Sequence, residues 1–142
     1  MNEMFYKKLY TVAFRLTGDE KAACELTTKT LSLVYDKTEK KNYISIENFK
    51  LIVLKLIELF IEQYNSYSSI SIKAMHNIED NIQKLQRALL QLNPASRAII
   101  IWKDLLGYKL DEILHVMPIS KEELYAELNS SYRILKEDLN AS

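Results

Sequence analysis

Apolar residues recur at a spacing of three to four along almost the whole chain, and residues that interrupt helices are rare. The 142 residues include only two glycines and two prolines, and strand-like alternation is almost absent. Apolar positions three and four apart form one face of a helix, and that face must be buried against other elements. With 48% apolar residues, the chain can build such cores, so the pattern predicts an all-α protein.

Changes in composition divide the chain into two small predicted helical domains. The N-terminal domain comprises residues 1–66 and the C-terminal domain comprises residues 79–142. The stretch 67–78 between them loses the helical periodicity and is rich in Ser, which predicts a linker. The N-terminal domain should begin with two antiparallel helices, the first ending at Gly18 and the second capped by Asp19.

The predicted third helix, about Ile46 to Tyr64, is apolar nearly all round and has only a narrow polar stripe. A helix of this kind either lies inside a bundle or has a partner lying across it. Burial between the first two helices accounts for the pattern. An additional contact with another protein is the alternative.

The C-terminal third, from Pro94 to Leu139, carries start and stop signals for three helices. Asn93 can cap the first, and Pro94 sits at the first helical position, where a missing N–H costs nothing. Gly107 should end this helix in a left-handed conformation. A short amphipathic helix follows, and Pro118 should end it. Its apolar side comprises Leu110, Ile113, Leu114 and Met117.

The final helix is predicted to begin at Ser120, which forms a capping box with Glu123. Its apolar stripe is predicted to comprise Leu124, Leu128, Ser131, Leu135 and Leu139. A short helix, a tight turn and a second amphipathic helix form the layout of a DNA-binding helix-turn-helix. We therefore predict a helix-turn-helix four-helix unit, although a helical hairpin in a small bundle has the same spacing.

Composition argues against several functional classes. The 19 basic and 19 acidic residues balance, so no overall field attracts nucleic acid. The single cysteine, Cys24, fits a reducing compartment, and within a helix it is expected to be a small core residue. The two histidines lack metal-ligand spacing, and no glycine-rich phosphate loop is present. We expect a cytoplasmic protein that is not an enzyme, needs no cofactor or metal, and does not span a membrane.

Two stretches, in the same order along the chain, carry a resemblance to a known family. In the first, LYTVAFRLTGDEKAACELTTKTLSLVY, the run Ala-Cys-Glu-Leu follows a Gly-Asp turn. The second, from Leu85 to Leu139, has a Leu-Pro-x-x-x-Arg-like opening with the proline shifted by one, and then a Gly-Tyr-x-x-x-Glu-Ile turn. Its marks are Leu92, Pro94, Arg97, Gly107, Tyr108, Glu112, Ile113, Ile119 and Ser120. Together the stretches resemble the extracytoplasmic-function group of bacterial RNA polymerase sigma factors.

The resemblance implies a function in transcription initiation. In that family the first domain binds the clamp helices of RNA polymerase and melts the downstream promoter element, and the second domain reads the upstream element. Carried over to this chain, the polymerase-binding positions are Glu25, Thr28 and Lys29. The implied partners are RNA polymerase core and promoter DNA, with room for an anti-sigma or other protein partner.

The chain departs from the family at positions that matter for this function. Where the family has Asp and Gln facing the clamp, the chain has Glu25 and Thr28. The family's third helix carries a Trp-Leu pair and an Asn used in promoter melting, and the corresponding positions here are Ile52, Val53 and Leu59. Aliphatic side chains offer neither polar edges nor aromatic faces to a flipped base.

The last helix is poor in cations for an element that reads DNA. The segment from Lys109 to Ser142 has four basic and seven acidic residues, a net charge of −3, and each missing phosphate contact weakens salt-dependent affinity. Asn129 can pair with adenine and Arg133 with guanine or phosphate, but Glu122 lies beside them. The candidate DNA-binding residues are Lys121, Asn129, Arg133 and Lys136. We expect weak DNA binding alone and stronger binding beside polymerase.

A second function, from another class, fits the same sequence. A degenerate sigma-like protein would act by binding a protein partner, or a second copy of itself, through the apolar third helix without reading promoter DNA. The two interpretations differ in whether the chain directs core polymerase to initiate at a promoter.

Overall fold

A computed structural model describes residues 3–38, 48–64 and 81–140. These residues form helices and no strand, which confirms the all-α prediction. The helices are α1 (Glu3–Thr17), α2 (Glu20–Thr38), α3 (Phe49–Tyr64), α4 (Asn81–Leu90), α5 (Pro94–Ile100), α6 (Leu110–Ile113) and α7 (Lys121–Asn140). The predicted linker, 67–78, lies outside the described residues. Among the helices described, none is both long enough and apolar enough to cross a bilayer.

α1 and α2 form the predicted hairpin, and its two turn residues act as expected. Gly18 has a φ of 70° and donates its N–H to the carbonyl of Phe14 at 2.7 Å. The Asp19 carboxylate accepts the Ala22 N–H at 2.8 Å and so caps α2. The predicted inner face of α1 is buried and comprises Phe5, Leu9, Val12, Ala13 and Leu16.

α3 lies inside the helical body, in contact with α1, α2 and α5. Its buried residues are Ile52, Val53, Leu56, Ile57, Leu59, Phe60 and Ile61. The prediction that burial explains its apolar character is therefore confirmed. Leu51, near its start, is the one large apolar residue of α3 that is well exposed.

The N-terminal and C-terminal helices share one core, and the buried guanidinium of Arg97 joins them. Its Nη1 donates to the carbonyl of Leu16 at the end of α1. Its Nε and Nη2 donate to the carbonyls of Leu89 and Leu92, at 3.0 and 2.8 Å. Burial lowers the pKa of Arg97 to about 10, so the group stays charged at neutral pH. One side chain thereby satisfies carbonyls from the ends of two helices.

A second polar contact fastens α4 to the end of α1. Gln86 donates through its Nε2 to the carbonyls of Phe14 and Arg15, at 3.2 and 3.1 Å. Its Oε1 accepts from the Arg15 guanidinium at 3.0 Å. The described helices therefore pack as one body, while the division at 67–78 stays a prediction from sequence.

α5 begins as predicted and then widens into a π-helical segment, Ile101–Leu105. Asn93 caps it by accepting the Ser96 N–H at 2.8 Å. In the π-helical segment the Leu106 N–H reaches the Ile101 carbonyl, five residues back. Gly107 ends the helix with a φ of 75°. The chain then folds over the buried Trp102, whose indole N–H donates to the Lys109 carbonyl at 2.7 Å.

Two details of the last two helices differ from prediction. α6 ends at Ile113 and does not reach Met117. The chain continues in tight turns, in which the N–H groups of His115 and Val116 bond to carbonyls three residues back. The stripe on α7 is buried as far as Leu135, but Leu139 is exposed. α7 packs on both α4 and α5, and its buried positions end at Leu135.

Candidate functional site

The four candidate DNA-binding residues all lie on the exposed side of α7. Lys121, Asn129, Arg133 and Lys136 are each exposed, and at about 100° of turn per residue they fall within an arc of about 120°. The capping box holds the start of this helix, since the Ser120 hydroxyl accepts the Glu123 N–H at 3.1 Å. We call this set of positions the α7 arc. Its role in binding DNA stays a prediction.

Most acidic residues of the C-terminal segment lie away from the α7 arc. Glu127 accepts a hydrogen bond from the Ser96 hydroxyl of α5. The Glu123 carboxylate accepts the Ser120 N–H within the capping box, and Glu112 pairs with Lys50. Glu122 is the only carboxylate among the α7 positions within the arc.

The arc therefore has a local charge opposite to that of the segment. Its three cations outnumber the single carboxylate, which gives +2 where the segment as a whole carries −3. Asp111 lies 3.8 Å from Lys121, but both side chains are more than half exposed, and such pairs contribute little. Cations are thus in excess within the arc, whereas the exposed side of α7 as a whole also carries Glu123 and Glu137.

Sequence reasoning missed two exposed tyrosines in the arc, Tyr125 and Tyr132. The Tyr132 hydroxyl donates to the Asp104 carboxylate at 3.2 Å and accepts from Lys103 at 2.9 Å. The pKa of Lys103 is raised first by its hydrogen bond to Tyr132 and then by its own hydrogen bond to Asp104, at 3.2 Å. Tyr125 and Tyr132 are seven residues apart, which places both rings on one face of the helix, and this spacing was the available signal.

The predicted polymerase-binding residues lie together on the exposed side of α2. Glu25, Thr28 and Lys29 line a shallow depression of about 430 Å³. The inner side of α2 is buried through residues such as Leu26 and Thr30. The structure thus brings the three residues to one surface, and their contact with polymerase stays a prediction.

The expectation that Cys24 is a core residue is wrong. Its side chain is exposed and lines the same depression as Glu25, because the buried face of α2 follows Ala23 and Leu26 and leaves position 24 outside. The Tyr6 hydroxyl lies 4.0 Å from its Sγ. Burial first, and then this contact, raises the pKa of Tyr6.

The positions that the sequence resemblance matched to promoter-melting residues are interior. Ile52, Val53 and Leu59 are all buried in the core. A flipped base needs an accessible pocket with aromatic or polar walls, and these side chains supply none.

The described residues contain no group of three or more His, Cys, Asp or Glu side chains that could hold a metal ion. Comparisons with protein-family models, with curated proteins and with solved structures return no match for this chain.

Proposed function

We propose that the chain is a divergent, sigma-like protein of transcription initiation that acts by binding and not by catalysis. In this proposal the exposed side of α2 binds RNA polymerase core and the α7 arc binds promoter DNA. The observation that carries it is the α7 arc itself. It is exposed, locally cationic, and contains an amide and a guanidinium one helical turn apart at Asn129 and Arg133.

The proposed DNA contact is expected to be weak because the α7 arc has few cations. The three cations of the arc can release about three counterions from DNA. The slope of log K against log salt should therefore be no steeper than about −3. Asn129 and Arg133, four residues apart, face the same way and can reach neighbouring base edges. Binding at a promoter therefore depends on polymerase holding the chain in place, which raises the effective concentration.

Reversing the charge at Glu122 tests the contact of the α7 arc with DNA. Glu122→Lys should tighten non-specific duplex binding by roughly fivefold at low salt and steepen the slope of log K against log salt by about 0.9. Glu62→Lys, the same change at an exposed position on α3, is the matched control. Fluorescence anisotropy across a salt series gives both values. If the two variants behave alike, the α7 arc does not meet DNA.

Cys24 allows a test of the α2 surface without altering Glu25, Thr28 or Lys29. It is the only cysteine and it is exposed, so a bulky polyethylene-glycol maleimide attaches at this depression alone. We expect the attached polymer to weaken binding to core polymerase by at least about tenfold, a loss of about 1.4 kcal/mol. N-methylmaleimide should have little effect.

The control for this experiment is Cys24→Ser protein treated with the same reagent. Binding is measured by anisotropy of a dye at the N-terminus, titrated with core polymerase. Equal affinity of the polymer-labelled and unlabelled proteins would remove α2 from the proposed interface.

The buried melting positions favour a second candidate function, a sigma-like protein that binds a partner without opening a promoter. Ile52 and Val53 cannot receive a base where they lie. In vitro transcription with core polymerase on the promoter of the protein's own operon separates the two. Core binding without a transcript supports the second candidate, and no core binding at all discards the sigma-like proposal.

A further inference from the structure

An apolar groove opens between α1, the start of α3 and the turn after the π-helical segment. It has a volume of about 480 Å³. Phe5 and Val12 of α1 form one wall, Phe49 of α3 lies beside them, and Leu105 and Tyr108 form the other wall. Neither Glu25 on α2 nor the residues of the α7 arc contribute to it.

The groove is held open by packed elements. Phe5 and Phe49 meet edge to face with ring centroids 5.4 Å apart. Tyr108 packs on the buried Trp102 at 4.5 Å. Because both walls are fixed in this way, a ligand pays little to order them.

One apolar side chain of the groove is well exposed: Leu105, in the π-helical segment, is 43% exposed. The residues of α1 that line the groove run from Phe5 to Val12. This stretch is about 10 Å long, at about 1.5 Å per residue. A second helix presents apolar residues at positions i, i+4 and i+7 over the same length.

The charge of the α1 wall indicates what kind of helix fits. α1 begins with Glu3 and carries three cations after it, Lys7, Lys8 and Arg15, of which Arg15 is bound to Gln86. Lys8 lines the groove itself. Nearby lysines are already matched, Lys50 by Glu112 and Lys103 by Asp104.

Among the carboxylates whose side chains the structure describes, in contrast, none lies at ion-pair distance from Lys8. A cation in an otherwise apolar wall favours an occupant that brings both apolar side chains and a carboxylate.

We propose that this groove is a docking surface for an amphipathic helix of an acidic partner protein. The partner's apolar side chains enter between Val12 and Leu105, and a flanking carboxylate meets Lys8. The surface is separate from the α2 depression and the α7 arc, so this proposal stands or falls independently of the proposed function.

The test uses two fluorescein-labelled, helix-forming peptides on the full chain. Both carry leucine at i, i+4 and i+7 of one face; the flanking positions are glutamate in one peptide and lysine in the other. The glutamate peptide should bind at micromolar concentrations in an anisotropy titration. The lysine peptide should bind at least about fivefold more weakly, the scale of a partly exposed ion pair.

Two leucines of almost equal exposure give a matched pair of variants. Leu105→Glu should weaken binding of the glutamate peptide by more than about tenfold, because it places a carboxylate in the apolar wall. Leu139→Glu, at a residue that is 41% exposed and outside the groove, should leave it unchanged. Lys8→Glu should invert the preference between the peptides.

Three results would overturn the proposal. These are equal affinity for the two peptides, no saturable binding of the glutamate peptide, and equal effects of Leu105→Glu and Leu139→Glu. Sedimentation of the unliganded chain tests whether a second copy of the protein occupies the groove. A dimer that Leu105→Glu dissociates would identify a second copy in the groove and exclude the acidic partner.

Discussion

Replacing Arg97 with methionine is expected to lower the free energy of unfolding by about 2–4 kcal/mol. The change leaves the buried carbonyls of Leu16 and Leu92 without this donor, at about 1–3 kcal/mol each. Leu89 is less affected, because its carbonyl also accepts the Leu92 N–H. Burial of the charged guanidinium is itself unfavourable and lowers its pKa to about 10. Removing this charge therefore offsets part of the lost stability. The unsatisfied carbonyls outweigh this gain.

Trp102 reports this loss, because it is the only tryptophan and is fully buried. Urea unfolding followed by its fluorescence gives the free energy, and Arg133→Met, at an exposed arginine, should change it by no more than about 0.5 kcal/mol. For a domain with a typical total of about 5–15 kcal/mol, the loss at Arg97 is severe. Equal stability of the two variants would show that Arg97 does not hold the core together.

The same variant tests whether the two halves unfold together. Arg97 lies on α5 and donates to the last turn of α1, 81 positions earlier in the chain. In the unmodified protein, Trp102 fluorescence and far-ultraviolet circular dichroism should give coincident transitions. In Arg97→Met the transitions should separate if this contact carries the coupling. Coincident transitions in both proteins would assign the coupling to the other contacts between the halves, such as Gln86 with the end of α1 and α3 with α5.

Local signals in the sequence were sufficient to predict most of the helical framework. Gly18 and Asp19, Asn93, and the pair Ser120 and Glu123 act as predicted. Each of these depends on a backbone conformation or a hydrogen bond within three or four residues. Such interactions can be read from the chain without knowing what lies beside it.

The features that sequence reasoning missed depend on contacts between distant segments. Cys24 and Leu139 lie on predicted helices, but packing against other helices decides which side of a helix is buried and at which residue the burial ends. Arg97 could be named as a motif position, while its acceptor at Leu16 could not. The groove at Leu105 draws its walls from three separate segments, so no single stretch of sequence indicates it.

The candidate DNA surface shows the same limit in its electrostatics. A net charge of −3 for the C-terminal segment is correct as a sum, yet it does not describe the surface that a duplex would meet. Glu127 is held by Ser96 and Glu123 by the capping box, so their charges lie off the α7 arc. Charge has to be assigned to faces before it can argue for or against a ligand.

Replacing Gly18 with alanine is expected to destabilise the protein by about 2–5 kcal/mol, and Gly107→Ala by only about 1–2 kcal/mol. Both glycines have a positive φ, 70° and 75°, so each variant incurs the left-handed penalty of about 1–2 kcal/mol. The two positions differ in the room that is available for an added Cβ. A Cβ at Gly18 would lie 2.6 Å from a methyl carbon of Leu90, whereas nothing lies within 4 Å of one at Gly107.

The difference between these two variants measures how tightly α4 presses on the α1–α2 turn. Leu90 is buried, so its side chain has little room to move, and overpacking of this kind costs about 1–3 kcal/mol. Urea unfolding followed by Trp102 fluorescence supplies both values under the same conditions. If the two losses are equal, Leu90 gives way freely and the contact between the predicted N-terminal and C-terminal domains is loose at this point. A larger loss at Gly18 means that the two sets of helices are in rigid contact there, since the left-handed penalty is common to both variants and cancels.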